Sequence, residues 1–241
     1  MKKTQRTENP YKNTDTNKRY FTYDYYLRKK YGKKLARIPL DMGLTCPNID
    51  GRCAYGGCIY CSSRGSGDFA ESASLPLREQ YDRARARLSS KWSTESCIAY
   101  FQAHTNTYAT LDFLKRNFED SLTFDGICAM SIATRADCLE PEICEYLADL
   151  AERIPLTVEL GLQSSSDKTA EFIIKFCRYI PNHAGYDCSN QRTAASIRQR
   201  IYQTREKAHV KSTLFGGNLR IETVCYGNKV TPLPFPRRTL G

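Results

Sequence analysis

Apolar residues along the chain follow two periods. Leu35 to Met42, Cys97 to Ala103, Gly126 to Ala133 and Leu156 to Leu162 are short, nearly continuous apolar runs. Runs of that length, bounded by polar or turn residues, predict strands buried on both faces. Between them the apolar positions recur at helical spacing. Leu77 to Trp92 forms one such stretch, Leu111, Leu114, Phe118 and Leu122 a second, and Ile143, Leu147, Leu150 and Ile154 a third. Pro141 stands ahead of the third, where the first helical position tolerates its missing N–H. Strand and helix therefore alternate four times, which predicts an α/β fold with a parallel sheet. We expect a partial (β/α) TIM-like barrel of about four βα units, with its chemistry at the C-terminal ends of the strands.

The polar residues fall where that rule requires. Cys46-Pro-Asn-Ile-Asp-Gly-Arg-Cys53-Ala-Tyr-Gly-Gly-Cys58-Ile-Tyr-Cys61 follows the first strand, and Gln102-Ala-His-Thr-Asn-Thr-Tyr108 follows the second. Thr134-Arg-Ala-Asp137 follows the third, and Gly161-Leu-Gln-Ser164 closes the fourth. A parallel sheet places all four clusters on one edge, as an active site at a barrel mouth demands.

Charge divides the 241 residues into three parts. Residues 1–37 carry 12 Lys/Arg against 3 Asp/Glu, residues 38–172 carry 12 against 20, and residues 173–241 carry 12 against 3. An acidic centre thus lies between two basic ends. We expect a basic, tyrosine-rich extension over 1–34, a core over 35–173 and an irregular basic segment over 174–241. Lys29, Lys30, Lys33, Lys34 and Arg37, interleaved with Tyr20, Tyr23, Tyr25, Tyr26 and Tyr31, offer phosphate contacts and stacking surfaces. A solvated arm whose tyrosines pack on the domain accounts for the same residues. No apolar stretch approaches the ~18 residues of a membrane span, and the basic start has no apolar run behind it, so the chain is expected in the cytoplasm with no membrane partner.

Eleven cysteines, an odd number, read in that compartment as ligands, catalysts or packing rather than as a disulfide framework. Cys97, Cys128 and Cys144 sit inside apolar runs and read as packing. Cys58-x2-Cys61 is different: two thiolates three residues apart can meet one metal centre from a tight turn, and Gly56-Gly57 gives the backbone room to wrap around it. Cys46 and Cys53 both lie within reach as further ligands. Four thiolates would make a closed zinc site, whereas three around a cubane would leave one iron open. Spacing alone leaves both arrangements standing.

The stretch RYFTYDYYLRKKYGKKLARIPLDMGLTCPNIDG, then GGCIYC, GSGDFA, AYFQAHTNTYA, SIATRADCL and VELGLQS, resembles a branch of the radical S-adenosylmethionine superfamily. That branch is distantly similar to the Elongator catalytic subunit and to the oxygen-independent coproporphyrinogen oxidase. The resemblance covers roughly residues 19 to 173, and it implies a C-x11-C-x2-C ligand set of Cys46, Cys58 and Cys61 on a [4Fe-4S] cluster, with Cys53 outside it. It further implies S-adenosylmethionine on the open iron, an electron cleaving the sulfonium, and a 5′-deoxyadenosyl radical that takes hydrogen from the substrate. By position, Tyr60 would lie beside cluster and adenine. Gln102, Thr105 and Asn106 would receive the methionine amino group, and Arg135 and Gln163 would reach the carboxylate or ribose. His104 reads as a supporting residue. The same resemblance implies a reducing partner of flavodoxin or ferredoxin type and, from relatives that modify tRNA, a wobble-uridine side chain as substrate. A zinc-stabilised nucleic-acid-binding module using Cys46, Cys53, Cys58 and Cys61, and a remnant without function, are the competing readings.

Two departures accompany the resemblance. An expected proline is Ala136, and beyond Ile173 the family pattern of Asn-Arg-Gly-His and a later Gly-Leu-Pro-Gly is replaced by Ile174-Lys-Phe-Cys-Arg-Tyr-Ile-Pro181. Apolar periodicity fades from there, which suggests a shift of reading frame near residue 174. A barrel stopping after four strands would carry an open sheet edge and a poorly soluble, weakly active product.

Overall fold

The computed structural model describes Asp15, Thr16, Lys18 and residues 22–58, 60–161, 211–215 and 218–225. Its elements in chain order are α1 (Tyr23–Tyr31), β1 (Ala36–Leu40), α2 (Leu77–Ser89), β2 (Cys97–Phe101), α3 (Leu111–Leu122), β3 (Ile127–Thr134), α4 (Pro141–Arg153), β4 (Leu156–Gly161), β5 (Lys211–Phe215) and β6 (Asn218–Cys225). β1 to β4 pair side by side, all parallel, with β2 to β4 each preceded by a helix in the chain. The four strand and helix alternations expected from the periodicity are present.

Pairing brings alternate residues of each strand to one face. Ile38 and Leu40 of β1, Ala99 and Phe101 of β2, Met130 and Ile132 of β3, and Leu156, Val158 and Leu160 of β4 form a single apolar layer. Tyr81 and Ala84 of α2, Leu114 and Phe118 of α3, and Ile143, Leu147 and Leu150 of α4 cover it, each at helical spacing. Phe118 meets Phe101 edge-on at 4.9 Å between ring centroids. Burying side chains of this size contributes roughly 1.5–3 kcal/mol each, so this layer is the main source of stability.

The opposite face is mixed. Near the strand starts, Ile98 and Ala129 pack with Leu35 and with Leu27 of α1, and Tyr23, Tyr26 and Tyr31 lean on the same cluster. Tyr23, Tyr26 and Tyr31 therefore form a packing face, and α1 is a helix that periodicity had not singled out. Further along that face, Arg37 of β1 is ion-paired with Glu159 of β4, and Tyr100 Oη of β2 donates to the second Glu159 oxygen at 3.0 Å. The Arg37 guanidinium lies 3.5 Å from the Tyr100 ring centroid and 5.2 Å from that of Tyr23. Three of the four parallel strands and α1 are tied by one charge cluster.

The expected open edge at β4 is not observed. β6 pairs antiparallel with β4 from Leu156↔Cys225 to Gly161↔Arg220, and β5 pairs antiparallel with β6, giving the order β1-β2-β3-β4-β6-β5. The physical reason lies in the sequence: Gly216-Gly217 separates two runs rich in β-branched and aromatic or apolar residues, the pattern of a two-residue hairpin. β1 stands at one margin, and it carries Pro39, which an edge strand accommodates because one row of its backbone groups has no ladder partner. The proposed frame change near residue 174, like Gln163, lies outside the described residues. No helix among the described residues is long and apolar enough to cross a membrane.

Candidate functional site

Parallel pairing sets the loops after β1, β2 and β3 on one edge, and hydrogen bonds join them. Thr105 N donates to Thr45 O at 3.3 Å and Asn106 N to Ala133 O at 3.2 Å. Gln80, fully buried on α2, accepts from Asp41 N and donates to Asp41 O and Leu75 O, each at 2.9 Å. It fixes the direction in which the chain leaves β1 and enters the cysteine loop.

That loop folds on its own backbone. Ile49 N donates to Cys46 O at 2.7 Å, Cys53 N to Pro47 O at 2.7 Å, Gly57 N to Asn48 O at 2.9 Å and Cys61 N to Cys58 O at 3.0 Å. Gly56 and Gly57 both take positive φ, 79° and 88°, where a β-carbon would be strained, and this is what lets the chain reverse between Tyr55 and Cys58.

The result pairs two thiols and leaves a third nearby. Cys58 and Cys61 share a hydrogen bond, and the charge at Cys46 acts on Cys61. The Cys61 contact lowers the Cys58 pKa to about 5, against burial, with Asn48, Tyr60 and Arg135 adding to the effect. Cys61 moves the other way, chiefly because its proton is the one donated to Cys58. Asn48 Nδ2 donates to Cys58 Sγ at 3.0 Å. Arg135 Nη1 donates to Cys46 Sγ at 3.7 Å, while its Nε and Nη2 bind Asp137 Oδ1 and Oδ2 at 2.8 and 2.6 Å. Burial opposes the Arg135 charge, and Asp137 and Cys46 more than offset it, so the guanidinium stays protonated beside the thiols. The neighbouring Cys138 thiol is buried, and that burial, with Asp137, pushes it up to about 12. It is a neutral packing group.

The other expected site residues divide by exposure. Tyr60 keeps 50 % of its surface open, and its hydroxyl hydrogen-bonds Cys58. Gln102 is half-buried at the end of β2. Thr105 and Asn106 are enclosed, and the Asn106 amide donates to Phe101 O and Ala133 O at 3.0 and 2.9 Å, tying two strand ends together. His104 holds a left-handed backbone, φ 58°, with its N–H on Gly65 O at 2.8 Å, so it braces the 62–70 loop against the turn after β2. Sequence reasoning missed Asn48 and Gln80. Asn48 could have been noticed as the one amide between the first two cysteines, but the role of Gln80 depends on a helix facing β1 across 39 positions.

The loop thus holds a hydrogen-bonded Cys58–Cys61 pair, with the Asn48 amide donating to Cys58 Sγ and the Arg135 guanidinium to Cys46 Sγ. Among the described residues no group of three or more His, Cys, Asp and Glu stands at the spacing of a single ion. No family model matches the chain. It is similar to "Uncharacterized protein YtqA" of Bacillus subtilis, 46% identical over 165 residues, which are 68% of this chain and 51% of that protein. It is also similar to "Uncharacterized protein MJ0486" of Methanocaldococcus jannaschii, 36% identical over 154 residues, 63% of this chain and 46% of that one. "Protein YhcC" of Escherichia coli is 30% identical over 176 residues, 72% of this chain and 53% of that one. The chain spans about half the length of the curated relatives it matches.

Proposed function

We propose that the chain carries the cluster-binding half of a radical S-adenosylmethionine enzyme, with Cys46, Cys58 and Cys61 holding a [4Fe-4S] cluster. The observation that supports this reading is the C-x11-C-x2-C spacing in the loop after β1, at the C-terminal edge of a parallel βα sheet, with Cys58 hydrogen-bonded to Cys61 and Arg135 donating to Cys46 Sγ. The donor chemistry suits such a cluster: three cysteine sulfurs, with the Arg135 cation beside Cys46 to balance thiolate charge. Bound there, the cluster would supply the electron that cleaves the sulfonium of S-adenosylmethionine to give a carbon radical.

The protein's own part is positioning. Cys58 is poised as a thiolate, and Arg135, locked by Asp137, stands as counter-charge to Cys46. Gln102, accessible at the end of β2, is suited to hold the methionine amino group, with Thr105 and Asn106 fixing the turn that presents it. Tyr60 offers an open ring beside the thiols for adenine. A tRNA wobble-uridine side chain is the substrate that best accompanies this chemistry and the basic N-terminal helix.

Anaerobic reconstitution with iron and sulfide tests the reading. A brown protein that bleaches with dithionite, survives Cys53→Ala and is lost with Cys58→Ala supports it. A colourless protein, or bound zinc that is lost with Cys53→Ala, overturns it.

A further inference from the structure

Asn48 has two hydrogen-bonding ends with different fates. Its carbonyl backbone closes the loop through Gly57 N, and its side-chain Nδ2 donates to Cys58 Sγ at 3.0 Å. The residue is 4 % exposed, and its Oδ1 is buried without a partner among the described residues. Leaving an amide oxygen buried and unpaired costs about 1–3 kcal/mol. A residue needed only to shape the turn could do so with an apolar or smaller side chain, so this cost points to a use for the N–H end. From the loop after β3, Arg135 Nη1 donates to Cys46 Sγ. Cys58 Sγ thus receives the buried Asn48 amide as well as the half-exposed Tyr60 hydroxyl, Cys46 Sγ receives Arg135, and Cys61 is exposed.

Donors directed at ligand sulfurs withdraw negative charge from them. When one electron enters a cluster the sulfurs become more electron-rich, so such hydrogen bonds strengthen on reduction and favour the reduced state. We propose that Asn48 is a positioning residue that sets the reduction potential of the cluster through its hydrogen bond to Cys58, with Arg135 acting on Cys46 in the same sense. The inference rests on the cluster reading given above. The step it governs is a one-electron transfer from a low-potential donor of flavodoxin or ferredoxin class: the donor loses one electron, the cluster gains it, and no bond forms or breaks.

The test is a potentiometric titration of the reconstituted full chain, followed by EPR of the reduced state. Asn48→Ala and Asn48→Asp both remove the donor, and the second keeps the side-chain shape. The expected result is cluster binding with a tenfold less favourable reduction in Asn48→Ala, which for one electron is a shift of ~59 mV to more negative potential. Asn48→Asp should shift in the same direction and by more, since it adds negative charge. A wild-type potential in both variants overturns the inference and leaves the cluster reading intact. To keep the outcome independent of whether the variants load, wild-type chain labelled with 15N at the asparagine side-chain amide is examined by pulsed EPR. A 15N coupling to the reduced cluster supports the assignment, and its absence overturns it. If the wild type binds no iron, the cluster reading falls and this inference with it.

Discussion

Glu159 offers a direct test of how the sheet and α1 are held together. Its side chain is 7 % exposed, it neutralises Arg37, itself 21 % exposed, and it accepts from Tyr100 Oη. Glu159→Ala strands the Arg37 guanidinium on the half-covered sheet face. Removing one partner of a buried ion pair costs about 3–5 kcal/mol. The lower end applies, because part of the guanidinium reaches water and its stacking on Tyr100 survives, so ~3 kcal/mol is expected from the charge. The orphaned Tyr100 hydroxyl adds ~1 kcal/mol. At ~2–4 °C per kcal/mol for a chain of this length, the melting temperature should fall by roughly 10 °C. Arg37→Met combined with Glu159→Leu should recover most of the loss, since a well-packed apolar pair replaces a buried ionic one at little net change. Urea unfolding followed by circular dichroism, with Trp92 fluorescence as a second probe, measures both. A Glu159→Ala variant within ~1 kcal/mol of wild type, or a double variant less stable than the single, would refute the reasoning.

Two further outcomes concern the loops and helices. Gly67→Ala would place a β-carbon 2.7 Å from Ala103 Cβ and 2.9 Å from Arg64 O. It should cost about 1–3 kcal/mol, read by melting curve. Glu119 binds Arg153 and Tyr146 between α3 and α4, and Arg153 holds its carboxyl below the ordinary value of 4.5 against desolvation, with Tyr146 adding to the effect. A depressed folded pKa means that the contribution is present above the ordinary carboxylate range and is lost as pH falls through the lowered value. Wild type should therefore lose stability more steeply than Glu119→Gln on acidification below about pH 4.5, by a small margin because the pair is exposed. Parallel acid-denaturation curves for the two proteins would contradict this.

The four βα units were legible because their strands are buried on both faces and so read as unbroken apolar runs, and because Leu114, Phe118, Ile143 and Leu147 repeat at 3.6 residues. The edge that holds the polar clusters followed from parallel pairing alone. α1 was not legible because its buried face is built from tyrosines around a single buried leucine, Leu27, within a strongly basic stretch. The one local cue was Thr22, whose hydroxyl accepts from Tyr25 N at 3.0 Å and caps the helix. The β5–β6 pair was overlooked because charge and fading periodicity outweighed Gly216-Gly217. At the site, the cysteine spacing was readable from the chain, whereas the parts of Gln80 and Asn106 depend on which helix and strand ends meet in space.

The seat of α1 sets a distance constraint on any large ligand. Its aromatic side meets residues at the beginnings of the strands, Ile98 and Ala129, while the thiols stand beyond their ends. At ~3.3 Å per residue, the five residues of β1 separate the two levels by about 17 Å. A polyanion that grips Lys29, Lys30 and Lys33 must therefore extend along the whole height of the sheet before any part of it reaches the cysteine loop. A mononucleotide is too short for that reach, whereas one arm of a folded RNA is long enough.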